Sequence, residues 1–183
     1  LATFPAFFDT NALFGFHLND VFLALAERSA FRPLWSADVL EELRRNLKAY
    51  GIDSGRVERR IAAMIHSFPD ATVTGYEHLV ATMTCDPKDR HVLAAAVRAN
   101  AEVLVTFNLK DFPAASVADY DIEIVHPDDF LLDQLDLFPG LTAGTIRQLV
   151  TDYSRPEISM NDLLVRLADA GVPRFATEVR THL

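Results

Sequence analysis

The stretch CDPKDRHVLAAAVRANAEVLVTFNLKDF, residues 85–112, decides how the chain is read. Asp86 is placed to cap a helix, Pro87 takes the first helical position and Asp89 falls in the first turn. The helix runs on to Asn100. AEVLVTF (101–107) then reads as a β-biased strand. The loop NLKDFPAAS follows, and DIEIV (121–125) is a last short strand. Upstream, FPAFF (4–8) is an apolar run ending at Asp9, which suits a buried strand. Asn19 or Asp20 caps VFLALAERSAF, and PLW (33–35) is a second short strand. Ser36 caps a helix on which Leu40, Leu43 and Leu47 mark one face and Gly51 marks the stop. Ser54 caps GRVERRIAAMIHSF, Pro69 and Asp70 break it, and ATVTG (71–75) is a strand. Strands alternating with helical stretches of ten or more residues indicate an α/β fold with a parallel sheet flanked by helices.

The pattern changes near residue 126. Pro127 starts the helix DDFLLDQLDLF, which Pro139-Gly140 ends. Two or three short helices follow, divided at Arg155-Pro156 and at Gly171-Val172-Pro173. Apolar faces such as Phe130, Leu131 and Leu135, and Leu163, Leu164 and Leu167, predict a tail docked on the α/β part or on a second protomer. The layout is therefore an α/β domain over 1–125 and a helical C-terminal extension over 126–183. Neither an internal repeat nor a low-complexity tract is present.

A length of 183 residues suits one domain, or one domain with an appendage. With 50% hydrophobic and 23% charged residues the chain can build a core. It has no apolar run of membrane-spanning length. The segment LATFPAFFDTNALF lacks a basic stretch and a small-residue cleavage site, so no secretory signal is expected. The single cysteine, Cys85, excludes an internal disulfide, and no Cys/His group has zinc spacing. The expectation is a soluble, cytoplasmic protein without membrane association. A net charge of −9 argues against a broad basic surface. Residues 44–60 run the other way: Arg44, Arg45, Lys48, Arg56, Arg59 and Arg60 against Asp53 and Glu58. They form either a salt-bridged helical face or a local patch for a polyanion.

Polar groups sit where an open α/β sheet keeps its ligands, beyond the carboxyl ends of the strands. Asp9, Thr10 and Asn11 follow the first strand; Thr106, Asn108 and Asp111 follow the fourth; Asp86 and Asp89 precede that strand's helix. Glu42 lies off the leucine face of its own helix. Each has an ordinary explanation. Asp9 and Asp86 read as caps, Asp89 as a helix-dipole residue, Glu41 and Glu42 as a solvated face, and Asn108 and Asp111 as turn residues. Three or four carboxylates converging on one edge, however, repel one another unless cations bind there. Oxygen ligands select Mg²⁺ or Mn²⁺, and such a site suits phosphodiester hydrolysis.

FFDTNALF, VLEEL, DPKDRHVLAAAV and LVTFNLKDFP, in that order and spacing over about residues 4–125, resemble the PIN-domain nucleases, and among them the VapC-like toxins of type II toxin–antitoxin pairs. The resemblance implies a PIN-like fold and an Mg²⁺- or Mn²⁺-dependent endoribonuclease with RNA as substrate and a cognate antitoxin as partner. It implies that Asp9, Glu42, Asp89 and Asp111 are the catalytic metal-binding carboxylates. Asn11, Thr106 and Asn108 would orient ligands or phosphate. Glu41 is less favoured, because the family's acid directly precedes the leucine, here Leu43. A PIN nuclease of RNA maturation or DNA processing without an antitoxin, and a non-catalytic PIN scaffold, are the alternatives. The tail resembles an extension carried by a subset of these toxins and would cover the sheet, mediate a homodimer or receive the antitoxin.

Other chemistries lack their residues. His91 cannot face Asp89 on a helix and reads as a core or hydrogen-bonded histidine. Cys85 reads as a small buried hydrophobe. No glycine-rich phosphate loop is present. A haloacid-dehalogenase-type phosphatase would need an aspartate where Asn11 stands.

Overall fold

The computed structural model describes residues 3–183. Five parallel strands, β1 (Pro5–Phe8), β2 (Arg32–Ser36), β3 (Thr72–Val73), β4 (Val103–Val105) and β5 (Glu123–Val125), lie in the order β3-β2-β1-β4-β5. Phe7 of the central strand is in register with Leu34 on one side and Leu104 on the other. All three are buried, as parallel strands covered on both faces must be. From β1 the chain moves out to β2 and β3, then returns past β1 to form β4 and β5. The connections therefore part between β1 and β4.

Six helices belong to this half: α1 (Thr10–Phe14), α2 (Phe16–Glu27), α3 (Ala37–Ala49), α4 (Ser54–Ser67), α5 (Arg90–Arg98) and α6 (Ala114–Val117). Ser36 caps α3 as expected, its Oγ accepting the Val39 amide at 3.1 Å. Gly51 follows α3 at φ +97°, a conformation open to glycine. Other boundaries differ from the sequence reading. Asp9 caps α1, a helix the sequence reading lacked, by accepting the Thr10 amide. Gly15 divides α1 from α2, so Asn19 and Asp20 lie inside α2 and are not its cap; the Asn19 amide already donates to the Gly15 carbonyl. Asp53, not Ser54, caps α4 through the Arg56 amide. α5 begins at Arg90, three residues later than expected, because Asp86 folds its own turn. Its Oδ1 accepts the Lys88 amide and its carbonyl accepts the Asp89 amide.

The tail forms α7 (Pro127–Leu137), α8 (Pro139–Asp152), α9 (Met160–Asp169) and α10 (Pro173–Val179). Pro139 opens α8 as well as closing α7. Of the roles the sequence allowed for the tail, the structure has it covering the α/β half. Phe130 on α7 lies 5.0–6.3 Å, ring to ring, from Phe4, Phe8, Phe22 and Phe31. The leucines named above, Leu131, Leu135, Leu163, Leu164 and Leu167, are all buried. Asp128 is buried too, and its carboxylate accepts the Arg174 and Phe175 amides, capping α10 from α7. Tyr153 donates to Asp20 at 2.6 Å, joining α8 to α2. Gly171, at φ +100°, stands against Phe107; a Cβ there would come within 2.7 Å of that ring. Among the described residues no helix is long and apolar enough to cross a membrane.

Phe130→Ala should lower unfolding free energy by about 3–5 kcal/mol, since four rings lose their common partner. Urea denaturation measures it, and a change below 1 kcal/mol would mean that the tail is not part of the core.

Candidate metal centre

Asp9 is the first residue beyond β1, with its amide bonded to the Val105 carbonyl of β4. The side chain is 4% exposed and fully engaged. Its Oδ1 accepts the Thr10 amide at 2.7 Å; its Oδ2 accepts the Asn11 Nδ2 at 2.7 Å and the Thr106 hydroxyl at 2.8 Å. Asn11 continues the network, donating to the Thr106 Oγ1 and accepting the Phe107 amide at 2.9 Å. The Asn108 amide closes it by donating to the same hydroxyl. Asn11 and Thr106 thus bolt the end of β1 to the end of β4 and orient Asp9.

A cleft of about 410 Å³ opens here, lined by Asp9, Asn11, Glu42, Asp89 and Asn108, with Phe14 and Asn46 on its wall. Glu42 reaches it from α3 and Asp89 from the turn before α5. Around Asp89 a second grouping forms: one carboxylate oxygen each from Asp86, Asp89 and Asp111 lie within 4.8 Å of one another. The Asp86 amide donates to the Asp111 carbonyl at 3.0 Å, which lays the two acidic loops side by side. Asp89 therefore links Asp9 and Glu42 on one flank to Asp86 and Asp111 on the other.

Electrostatics follows from that crowding. Burial pushes the Asp9 carboxyl up, against hydrogen bonds from Thr106 and Thr10 that pull it down, and the Glu42 charge adds to the rise. Asp89 is pushed up to about 6, first by burial and then by the charges of Asp9 and Asp111. Its Oδ2 is buried with no hydrogen-bond partner among the described residues. An orphaned carboxylate oxygen between converging like charges fits a divalent cation, and the all-oxygen donor set suits Mg²⁺ or Mn²⁺.

Three residues stand at the site beyond those the family resemblance implies. Asp86, which the sequence places at the same edge as a helix cap, joins the acid cluster. Asn46 stands one turn beyond Glu42, the i,i+4 spacing that puts both on one helix face. His91, expected to be a core or hydrogen-bonded histidine, is half-buried and faces Glu42, with its Nε2 3.8 Å from the carboxylate. Cys85 is buried as expected, and burial pushes its thiol up to about 11.

The basic stretch is not one continuous rim. Arg44 pairs with Glu41 and Glu58, and Lys48 pairs with Glu58. Arg60 turns inward and donates to the carbonyls of Leu13, Phe14 and Gly15. Arg45, Arg56 and Arg59 are exposed and make no ion pair among the described residues.

Residues 5–110 match a family model described as PIN domain, and residues 127–181 match one described as VapC50 C-terminal domain. The chain is similar to a curated protein of Mycobacterium tuberculosis (strain ATCC 25618 / H37Rv) named "Putative ribonuclease VapC50", with 50% identity over 106 residues. That alignment takes in 58% of this chain and 62% of the other, so the match spans under two thirds of the relative's length. No solved structure matches.

With its carboxyl raised to about 6 from an ordinary 3.8, Asp89 binds its proton more tightly folded than unfolded. Without divalent ions, stability therefore falls as pH rises from about 4 to 6, and Asp9 acts in the same direction. Asp89→Asn should raise Tm at pH 7 in EDTA and flatten that decline. Mn²⁺ should raise the wild-type Tm and leave the variant's nearly unmoved. Melting curves from pH 4 to 8 test both statements, and an Asp89→Asn chain melting lower than wild type in EDTA would refute the crowding.

Proposed function

This chain belongs to the PIN-domain family, and on that premise we propose that it is a divalent-metal-dependent endoribonuclease, the toxin of a toxin–antitoxin pair acting in the cytoplasm. The observation that carries the reading is the meeting of Asp9, Glu42 and Asp89 in one cleft, with Asp86 and Asp111 against Asp89. The match of residues 127–181 to the VapC50 C-terminal domain, and the 50% identity over 106 residues to a protein named as a ribonuclease, support the reading.

Asp9, Glu42, Asp89 and Asp111 would hold the cation, with Asp86 close enough to share it. When bound, the ion neutralises charge developing on the phosphate and makes a nucleophile of water. The chain supplies the rest. Thr106 and Asn11 fix the Asp9 carboxylate in one orientation before substrate arrives, which removes the cost of arranging it during reaction. Asp89 must lose its proton to take part, so activity should rise as pH passes about 6. Asn108, exposed at the mouth of the cleft, is placed to donate to a phosphate oxygen. A complete acidic set speaks against a scaffold without catalysis.

Purified protein should cut RNA with Mg²⁺ or Mn²⁺ and stop in EDTA. Asp9→Asn should lower the rate by at least a hundredfold with an unchanged circular dichroism spectrum. Induction of the wild-type chain should arrest bacterial growth, and induction of Asp9→Asn should not. Undiminished cleavage in EDTA would overturn the metal mechanism. Cleavage without growth arrest would favour RNA maturation over a toxin.

A further inference from the structure

The acidic cleft does not end at its own walls. Phe14 lines it and also lines a second hollow of about 360 Å³, bounded by Phe16, Tyr50 and Arg56. Phe16 and Arg56 line in turn a third, of about 330 Å³, whose cations are Arg56, Arg59 and Arg60. The three hollows adjoin through these shared residues, and together they make a track whose chemistry passes from carboxylate to aromatic ring to guanidinium.

The rings are placed for contact rather than for the core. Tyr50 is 74% exposed and Phe16 52%, in a chain whose other phenylalanines are mostly buried. Tyr50 stands edge-on to Phe14, ring centres 5.5 Å apart, with planes at 88°. Phe14 and Phe16 flank the short joint between α1 and α2, and Arg60 grips that joint through the Leu13, Phe14 and Gly15 carbonyls. Its guanidinium also lies 6.0 Å from the Phe16 ring centre. Arg60 is thus spent on holding the rings still, while Arg56 and Arg59 remain exposed beside them.

We propose that this track binds single-stranded RNA, with Tyr50 and Phe16 stacking unpaired bases and Arg56 holding a phosphate, so that the strand enters the acidic cleft past Phe14. The proposal rests on the nuclease reading and names the part of the substrate that reading leaves open. Two observations favour nucleic acid over an apolar protein segment. Exposed rings stand beside Arg56 and Arg59, which make no ion pair among the described residues, the combination that grips single strands without reading sequence. These cations are concentrated in a chain of net charge −9, next to carboxylates that would otherwise repel a polyanion. A duplex keeps its base faces stacked internally and has none to offer the rings.

The test compares Tyr50→Ala, Phe16→Ala, Tyr50→Phe and Arg56→Ala with wild type, as full chains with Mn²⁺, on a fluorescent single-stranded oligoribonucleotide and on its duplex. Each ring-to-alanine change should raise KM roughly five- to a hundredfold with kcat within about twofold, the loss expected for one stacked base. Tyr50→Phe keeps the ring and should return KM to near wild type. Arg56→Ala should raise KM and flatten its salt dependence. Wild type should cut the duplex far more slowly. All three side chains are exposed, so melting temperatures should stay close to wild type. Wild-type cleavage with KM unchanged in both alanine variants removes the track alone and leaves a protein segment as its occupant. Absence of wild-type cleavage with either ion removes the nuclease reading, and this proposal with it.

Discussion

At the join of β1 and β4 a carboxylate is held out of water by three donors, and the arrangement of the site hangs on it. Connections leave β1 toward one edge of the sheet and return on the other side, so no crossover covers the ends of these two strands. The gap must be closed by side chains. Asp9, Asn11 and Thr106 close it with bonds of 2.7–3.1 Å, and the Asp9 amide adds the backbone tie to Val105. Because Asp9 is satisfied so completely, it does not move to relieve the repulsion from Glu42 and Asp89. Burial first, and then the neighbouring charges, raise the proton affinity of Asp89, whose Oδ2 has no donor among the described residues.

The same economy governs the packing of the tail. β1, α2 and the residue before β2 present Phe8, Phe22 and Phe31, with the Phe8 ring 4.9–5.7 Å from the other two. Phe130 from α7 completes the cluster, and Asp128, two residues earlier, fixes where α10 begins. The tail is anchored to α2 by Tyr153 and Asp20, a pair in which burial and the neighbouring carboxylate push the phenol up. A helix that caps another helix across 46 residues of sequence, as Asp128 does for Arg174, is not a loosely tethered appendage.

What could be read from the sequence was whatever depends on short-range pattern. Five strands, the Ser36 cap, the Gly51 stop and the burial of Phe130 and Leu131 follow from apolar spacing and local backbone preference. Errors arose where two segments distant in sequence compete for one polar group. Asp86 has the spacing of a cap, but its amide is claimed by the Asp111 carbonyl 25 residues on, and the turn that results delays α5 to Arg90. Arg60 counts as surface charge on its own helix, yet the joint after α1 needs a donor for its open carbonyls. His91 could not be aimed without knowing that α3 and α5 both meet β2. Asp9 and Asp111 could be placed near one edge because strand ends in an open sheet share it; Glu42, in the middle of α3, was pointed to only by the family resemblance.

Gly171 carries this further. Its φ of +100° and the nearby Phe107 ring exclude every other side chain, and the Phe107 amide is the one that Asn11 accepts beside Asp9. A methyl group added 64 residues away would push on that ring, then on Asn11, then on the first carboxylate. The two halves of the chain are therefore not interchangeable parts. A tail grafted from a relative brings its own spacing at this contact, and a nuclease half with a smaller residue at 107 would leave a void where the glycine now fits. Exchanging one half therefore means fitting residues 107 and 171 to each other again.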